Sequence, residues 1–130
     1  MGLFNDLFGA KSDLKKEKRS LPWVPLTSKE QLATIIEKSK SRPQAIFKHS
    51  TTCGISRMVL NMFTDNYATN SDQIDIYFLD LHAYRDVSNE VGIRFQVLHQ
   101  SPQLLIIKNG VAVSHASHGA ISEVDLEQYV

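Results

Sequence analysis

Cys53 is the single cysteine of this 130-residue chain, set in Ser50-Thr51-Thr52-Cys53-Gly54-Ile55-Ser56-Arg57 between a short apolar run and a helical pattern. A thiol at the first turn of a helix meets unpaired backbone N–H groups and the positive end of the dipole, which favour thiolate over thiol. The sulfur there is a nucleophile. Redox helices usually carry Cys-x-x-Cys, whereas Cys53-Gly54-Ile55-Ser56 puts a hydroxyl where a second sulfur would close an internal disulfide. Exchange at Cys53 therefore needs a second thiol from outside. Ser56, one turn on, either donates to the thiolate or is a solvated first-turn serine. Lys48, His49 and Arg57 are candidate helpers of the thiolate charge, and strand alternation puts only one of Lys48 and His49 on its side. The five histidines, His49, His82, His99, His115 and His118, match no zinc spacing, so no metal site is expected.

The length allows one domain with an ordinary core, needing neither disulfides nor structural metal. Hydrophobic residues make up 42% and charged residues 22%, the proportions of a soluble globular protein. Fourteen basic residues balance 14 acidic ones, which argues against nucleic acid as a partner. No apolar stretch approaches the ~20 residues of an integral membrane span, and Met1 to Phe8 lacks the basic start and long apolar core of a signal peptide. A cytoplasmic location is expected, where a free thiol stays reduced. Residues 1–20 read as an appendage: Leu3, Phe4, Leu7 and Phe8 fall at helical spacing ahead of a charged run from Lys11 to Arg19. The domain proper is expected over 21–130, beginning with extended chain at Leu21 to Leu26.

Thr27 and Ser28 offer N-cap residues for a helix of about twelve residues carrying Leu32, Ile35 and Ile36 and ending before Pro43. Ala45 to His49 reads as a buried strand, and Ile55, Val59, Met62 and Phe63 as one face of a second helix. Ile74 to Leu81 is the clearest strand, and Val87, Val91 and Phe95 mark a third helix. Asn109-Gly110 between Leu104–Ile107 and Val111–Val113 is a hairpin signal. Ile121, Val124 and Leu126 are assigned to a last helix after Gly119. A strand-helix-strand unit followed by a hairpin implies an α/β fold, with a central mixed sheet of about four strands flanked by helices. This is the thioredoxin-like arrangement, in which a nucleophilic cysteine opens the helix after the first core strand and a proline opens the hairpin opposite it. Cys53 and Pro102 take those places. A cis Ser101-Pro102 bond is expected, turning the Ser101 backbone toward Cys53 to pair with a bound disulfide partner.

Phe47-Lys48-His49-Ser50-Thr51-Thr52-Cys53-Gly54-Ile55-Ser56, Leu79-Asp80-Leu81 and His99-Gln100-Ser101-Pro102-Gln103 resemble the YtxJ-type monothiol bacilliredoxins, also called bacillithiol system redox-active proteins, over about residues 22 to 128. Typical members carry Thr-Cys-Pro-Ile-Ser, and Gly54 stands here in place of the proline. The resemblance implies a monothiol thiol-disulfide oxidoreductase that removes bacillithiol, or a similar low-molecular-weight thiol, from client proteins. Cys53 and Ser56 are then the catalytic pair, with Thr52, Gly54, Ile55, Ser101 and Pro102 binding substrate. The small thiol is a co-substrate recycled by its reductase, no cofactor is tightly bound, and the protein acts as a monomer. Two alternatives stay open. Cys53-Gly54-Ile55-Ser56 is similar to the Cys-Gly-Phe-Ser of monothiol glutaredoxins, which implies iron–sulfur cluster binding. A thioredoxin-fold adaptor or stress protein whose cysteine is merely modified is the other.

Overall fold

A computed structural model describes residues 21–67 and 73–130. The appendage expected over 1–20 lies outside the described residues, as does most of the polar stretch around residue 70. In chain order the elements are strand β1 (Trp23–Pro25), helix α1 (Glu30–Lys38), strand β2 (Gln44–His49), helix α2 (Gly54–Asn66), strand β3 (Asp75–Asp80), helix α3 (Arg85–Phe95), strand β4 (Gln103–Lys108) and strand β5 (Val111–Ser117). The strands form one mixed sheet in the order β1-β3-β2-β4-β5. Three residues of the expected extended entrance, Trp23 to Pro25, pair parallel to β3 and supply the fifth strand.

Alternation along β2 divides the molecule into two layers. Ile46 faces Leu32 and Ile35 of α1 and Val87 and Val91 of α3. Ala45 and Phe47 face Val59 and Phe63 of α2. The second layer holds an aromatic cluster, with ring centroids of Trp23 and Phe47 6.0 Å apart and those of Phe47 and Phe63 5.4 Å apart. A polar chain runs through the sheet: Gln44 Nε2 donates to Asp75 Oδ2 at 2.7 Å, and Tyr77 donates its hydroxyl to Gln44 Oε1 at 2.8 Å. Burial, helped by the Asp75 charge, pushes Tyr77 up to about 12.

Helix α1 is shorter than expected, nine residues, and its start is not capped by Thr27 or Ser28. Instead both offer backbone N–H groups to Gln31 Oε1, at 2.7 and 3.0 Å. On α2 the buried stripe is Ser56, Val59 and Phe63, while Ile55 and Met62, expected on the inner face, are exposed. The hairpin turn is as expected, with Asn109 at φ 52° and Gly110 at φ 80°, a backbone that glycine adopts freely. Ser39 at the end of α1 anchors it by accepting from Asn109 N–H at 2.9 Å and Gly110 N–H at 2.8 Å. The expected last helix is instead two 3-10 turns, His118–Glu123 and Leu126–Gln128. His118 enters at φ 56° and Val124 is already extended, leaving too few residues for an α-helical ladder. Ile121 and Leu126 are nonetheless buried in the α2 layer.

Candidate active site

Two elements bring the reactive residues together. Parallel β2 and β3 end at the same side of the sheet, His49 opposite Asp80. Antiparallel β4 begins there, with Gln103 opposite Lys48. The chain leaving β2 thus carries Cys53 to the end of the sheet at which Pro102 enters β4. The Ser101-Pro102 bond is cis, as expected, and Pro102 is buried.

Cys53 is the N-cap of α2, in extended backbone at φ −105° and ψ 121°, and half-buried. Its N–H reaches the Ser50 carbonyl at 3.3 Å and its own carbonyl accepts the Arg57 N–H at 3.2 Å. The free N–H groups of the first turn follow directly, which is the setting expected for a nucleophilic sulfur. Thr52, Gly54 and Ile55 surround it on the exposed side, Ile55 being 55% exposed. Ser101 is half-buried, and its hydroxyl has no hydrogen-bond partner among the described residues.

Ser56 is fully buried, so it is not a solvated serine. Its hydroxyl oxygen accepts the Ser50 N–H at 3.1 Å and lies 2.9 Å from His49 Nδ1. Those contacts turn it inward, and no hydrogen bond joins it to Cys53 among the described residues. Burial pulls the His49 imidazole down from its ordinary value; the Asp80 charge opposes this and Arg57 adds to it. The pair Ser56–His49 fastens the first turn of α2 to the end of β2.

Alternation settles which of Lys48 and His49 sits on the α2 side. His49 follows Phe47, whereas Lys48 points into the opposite layer, where its Nζ donates to the Ser88 carbonyl at 3.0 Å and lies 3.2 Å from His99 Nδ1. His82 was not singled out from sequence, yet it braces the active loop: its Nε2 lies 2.7 Å from Ser50 Oγ and 3.2 Å from Thr52 Oγ1. The Asp80 carboxylate holds that corner by accepting from the His82 and Ala83 N–H groups at 3.1 and 3.3 Å. The available signal was Asp80-Leu81-His82 at the end of the strand that must lie beside β2. His115 and His118 are exposed, on β5 and just after it, and the backbone N–H of His118 donates to the Pro102 carbonyl at 3.0 Å. Among the described residues no three His, Cys, Asp or Glu side chains gather into a metal-binding group.

A family model described as monothiol bacilliredoxin BrxC matches residues 24–126. The chain belongs to the monothiol bacilliredoxin family. One solved structure, described as a candidate oxidoreductase with a thioredoxin fold, is 30% identical, with a TM-score of 0.68 over 82% of this chain and 91% of that one. Thioredoxins of Malassezia sympodialis and Trypanosoma brucei brucei share the fold at 19% and 16% identity and TM-scores of 0.65 and 0.63. The first match covers 81% of this chain and 88% of that one, the second 82% and 86%. In this bacilliredoxin the glycine at position 54 leaves open space: a Cβ built there meets nothing within 4 Å. A Cβ can be added there without displacing the nucleophile.

Proposed function

We propose that this bacilliredoxin removes bacillithiol, or a low-molecular-weight thiol like it, from mixed disulfides on client proteins. The observation that carries the reading is a lone, half-buried Cys53 capping α2, with Ser56 in the resolving position bonded inward to His49 and Ser50. In the first step the Cys53 thiolate attacks the small-thiol sulfur of the client adduct. The sulfur–sulfur bond of the adduct breaks, the client leaves as thiolate and takes a proton from solvent, and Cys53 keeps the small thiol as a disulfide. A second small-thiol thiolate then attacks that disulfide, restoring Cys53 and releasing the small-thiol dimer for its reductase. Thr52, Gly54, Ile55 and Ser101 contact the adduct, and Pro102 shapes the wall opposite the sulfur. The small thiol is a co-substrate, so the cycle needs no tightly bound cofactor, and it suits a monomer in a reducing cytoplasm.

The test is release of client thiol from a bacillithiol-modified protein. Wild type is expected to turn over repeatedly with bacillithiol present, Cys53→Ala to lose all activity, and Ser56→Ala to retain most of it. Anaerobic reconstitution with iron, sulfide and a small thiol tests the glutaredoxin-like alternative. A stable cluster bridging two Cys53 thiolates, with no client release, overturns the proposal. Adduct formation on Cys53 without catalytic release favours an adaptor instead.

A further inference from the structure

Lys48 is fully buried and pairs with no carboxylate among the described residues. Burial lowers it to about 8, so near neutral pH it is still mainly an ammonium. An ammonium has donors only, which makes His99 Nδ1, 3.2 Å away, the acceptor and places the imidazole proton on Nε2. Ser88 Oγ, 3.4 Å from the same Nδ1, can donate to it as well. Nδ1 and Nε2 lie on different edges of the ring, so the bonded edge faces Lys48 and the other edge carries an N–H away from it. The neighbouring charges that act on His99 are Lys48 and Arg85, both positive, and together with burial they keep the imidazole neutral.

His99 lines an open groove of about 450 Å³, walled by Ile93 and Leu98, which are 70% and 81% exposed, and edged by Asn89 and Gln96. Gln103 Nε2, donating to the Leu98 carbonyl at 2.9 Å, fixes the groove wall to the start of β4. The loop from His99 to Pro102 joins this groove to the end of the sheet where Cys53 stands. A buried cation without an anion is costly, and hydrogen bonds in series polarise one another, so the positive charge of Lys48 is expressed at His99 Nε2–H.

We propose that His99, backed by Lys48, forms a carboxylate subsite that binds the small-thiol half of the mixed disulfide. The inference rests on the exchange reaction proposed above, and it deepens that reading by naming what the small thiol must carry. Lys48 acts as a positioning residue that fixes the tautomer of His99.

Two near-isosteric adducts on one client separate the effect of charge from that of shape: 3-mercaptopropionate and its neutral amide. Wild type is expected to favour the acid adduct by about tenfold in kcat/KM, the scale of one charge-assisted hydrogen bond. In His99→Ala and Lys48→Met that ratio is expected to fall to about one. A structural role would lower both rates and keep the ratio, and a wild-type ratio near one overturns the subsite. A readout independent of turnover is the His99 ring signal by NMR during titration with the symmetrical disulfides of the acid and of the amide. A shift with the diacid alone supports the subsite even where neither adduct is released, a result that would sink the exchange reaction itself. Equal shifts, or none, overturn the subsite. Should Lys48→Met not fold, exposed His99→Ala carries the comparison.

Discussion

Ser56 shows how one side chain can keep a familiar position and change its task. A second cysteine there would resolve the mixed disulfide, but a hydroxyl bound to Ser50 N–H and His49 cannot, so it secures the loop instead. Lys48 is the other residue whose role the fold decides. Its folded-state value of about 8 lies below the 10.5 of the unfolded chain, so between those limits the unfolded state binds more protons and stability rises with pH. The full cost of burying the ammonium is present below about 8 and vanishes above 10.5. Urea unfolding of wild type and Lys48→Met is expected to show it as a stability difference that shifts in favour of wild type, by on the order of 1–2 kcal/mol, between pH 7.5 and 9.5. Taking the difference cancels Tyr67 and Tyr77, which burial also perturbs. A difference that stays flat across that range would mean that the amine is not desolvated. The partners of Lys48 were not legible in sequence, because Ser88 and His99 lie 40 and 51 positions away.

At the scale of elements, the sequence exposes what periodicity encodes and hides what long-range contact decides. Cys53 as helix cap, Pro102 at the head of β4 and the Asn109-Gly110 turn were all readable, since each depends on local backbone chemistry. Strand β1 was not, because three residues that follow Pro22 and end on Pro25 carry no alternation; it is a strand through pairing with β3. The inner face of α2 was misjudged for a related reason: Ser56 lies on it and Ile55 does not, since the polar pair with His49 takes the first inward position. Gly54 offers a direct test of how this helix begins. Its place just after the cap suits proline, whose missing N–H is unpaired there anyway, and the extended Cys53 backbone is what a following proline requires. Gly54→Pro is expected to raise stability by about 0.5–1 kcal/mol, read from the urea midpoint, by limiting the unfolded chain. A loss of stability would show that the α2 start is not the unstrained one described.

For the whole molecule, the two layers do different work around one sheet end. The α2 layer, with its aromatic cluster and the 3-10 turns beneath, holds the nucleophile, while the α3 layer holds Lys48 and His99 and opens to the groove. Both meet where β2 finishes and β4 starts, so the proposed reaction would bring an adduct at Cys53 to groups that β2 has sent to opposite faces. The mixed sheet and helix order were derivable from the strand-helix-strand unit and the hairpin, whereas the joining of the layers at this end depends on register. In the proposed cycle Cys53 takes the small thiol and keeps it until a second one arrives. Intact-mass measurement after one equivalent of bacillithiol-modified client, with no free bacillithiol present, tests it most directly. The client is expected to lose the mass of one bacillithiol and this protein to gain it at Cys53, with Cys53→Ala unchanged. A covalent client–Cys53 dimer as the main product, or an unmodified protein beside an unmodified adduct, would contradict it.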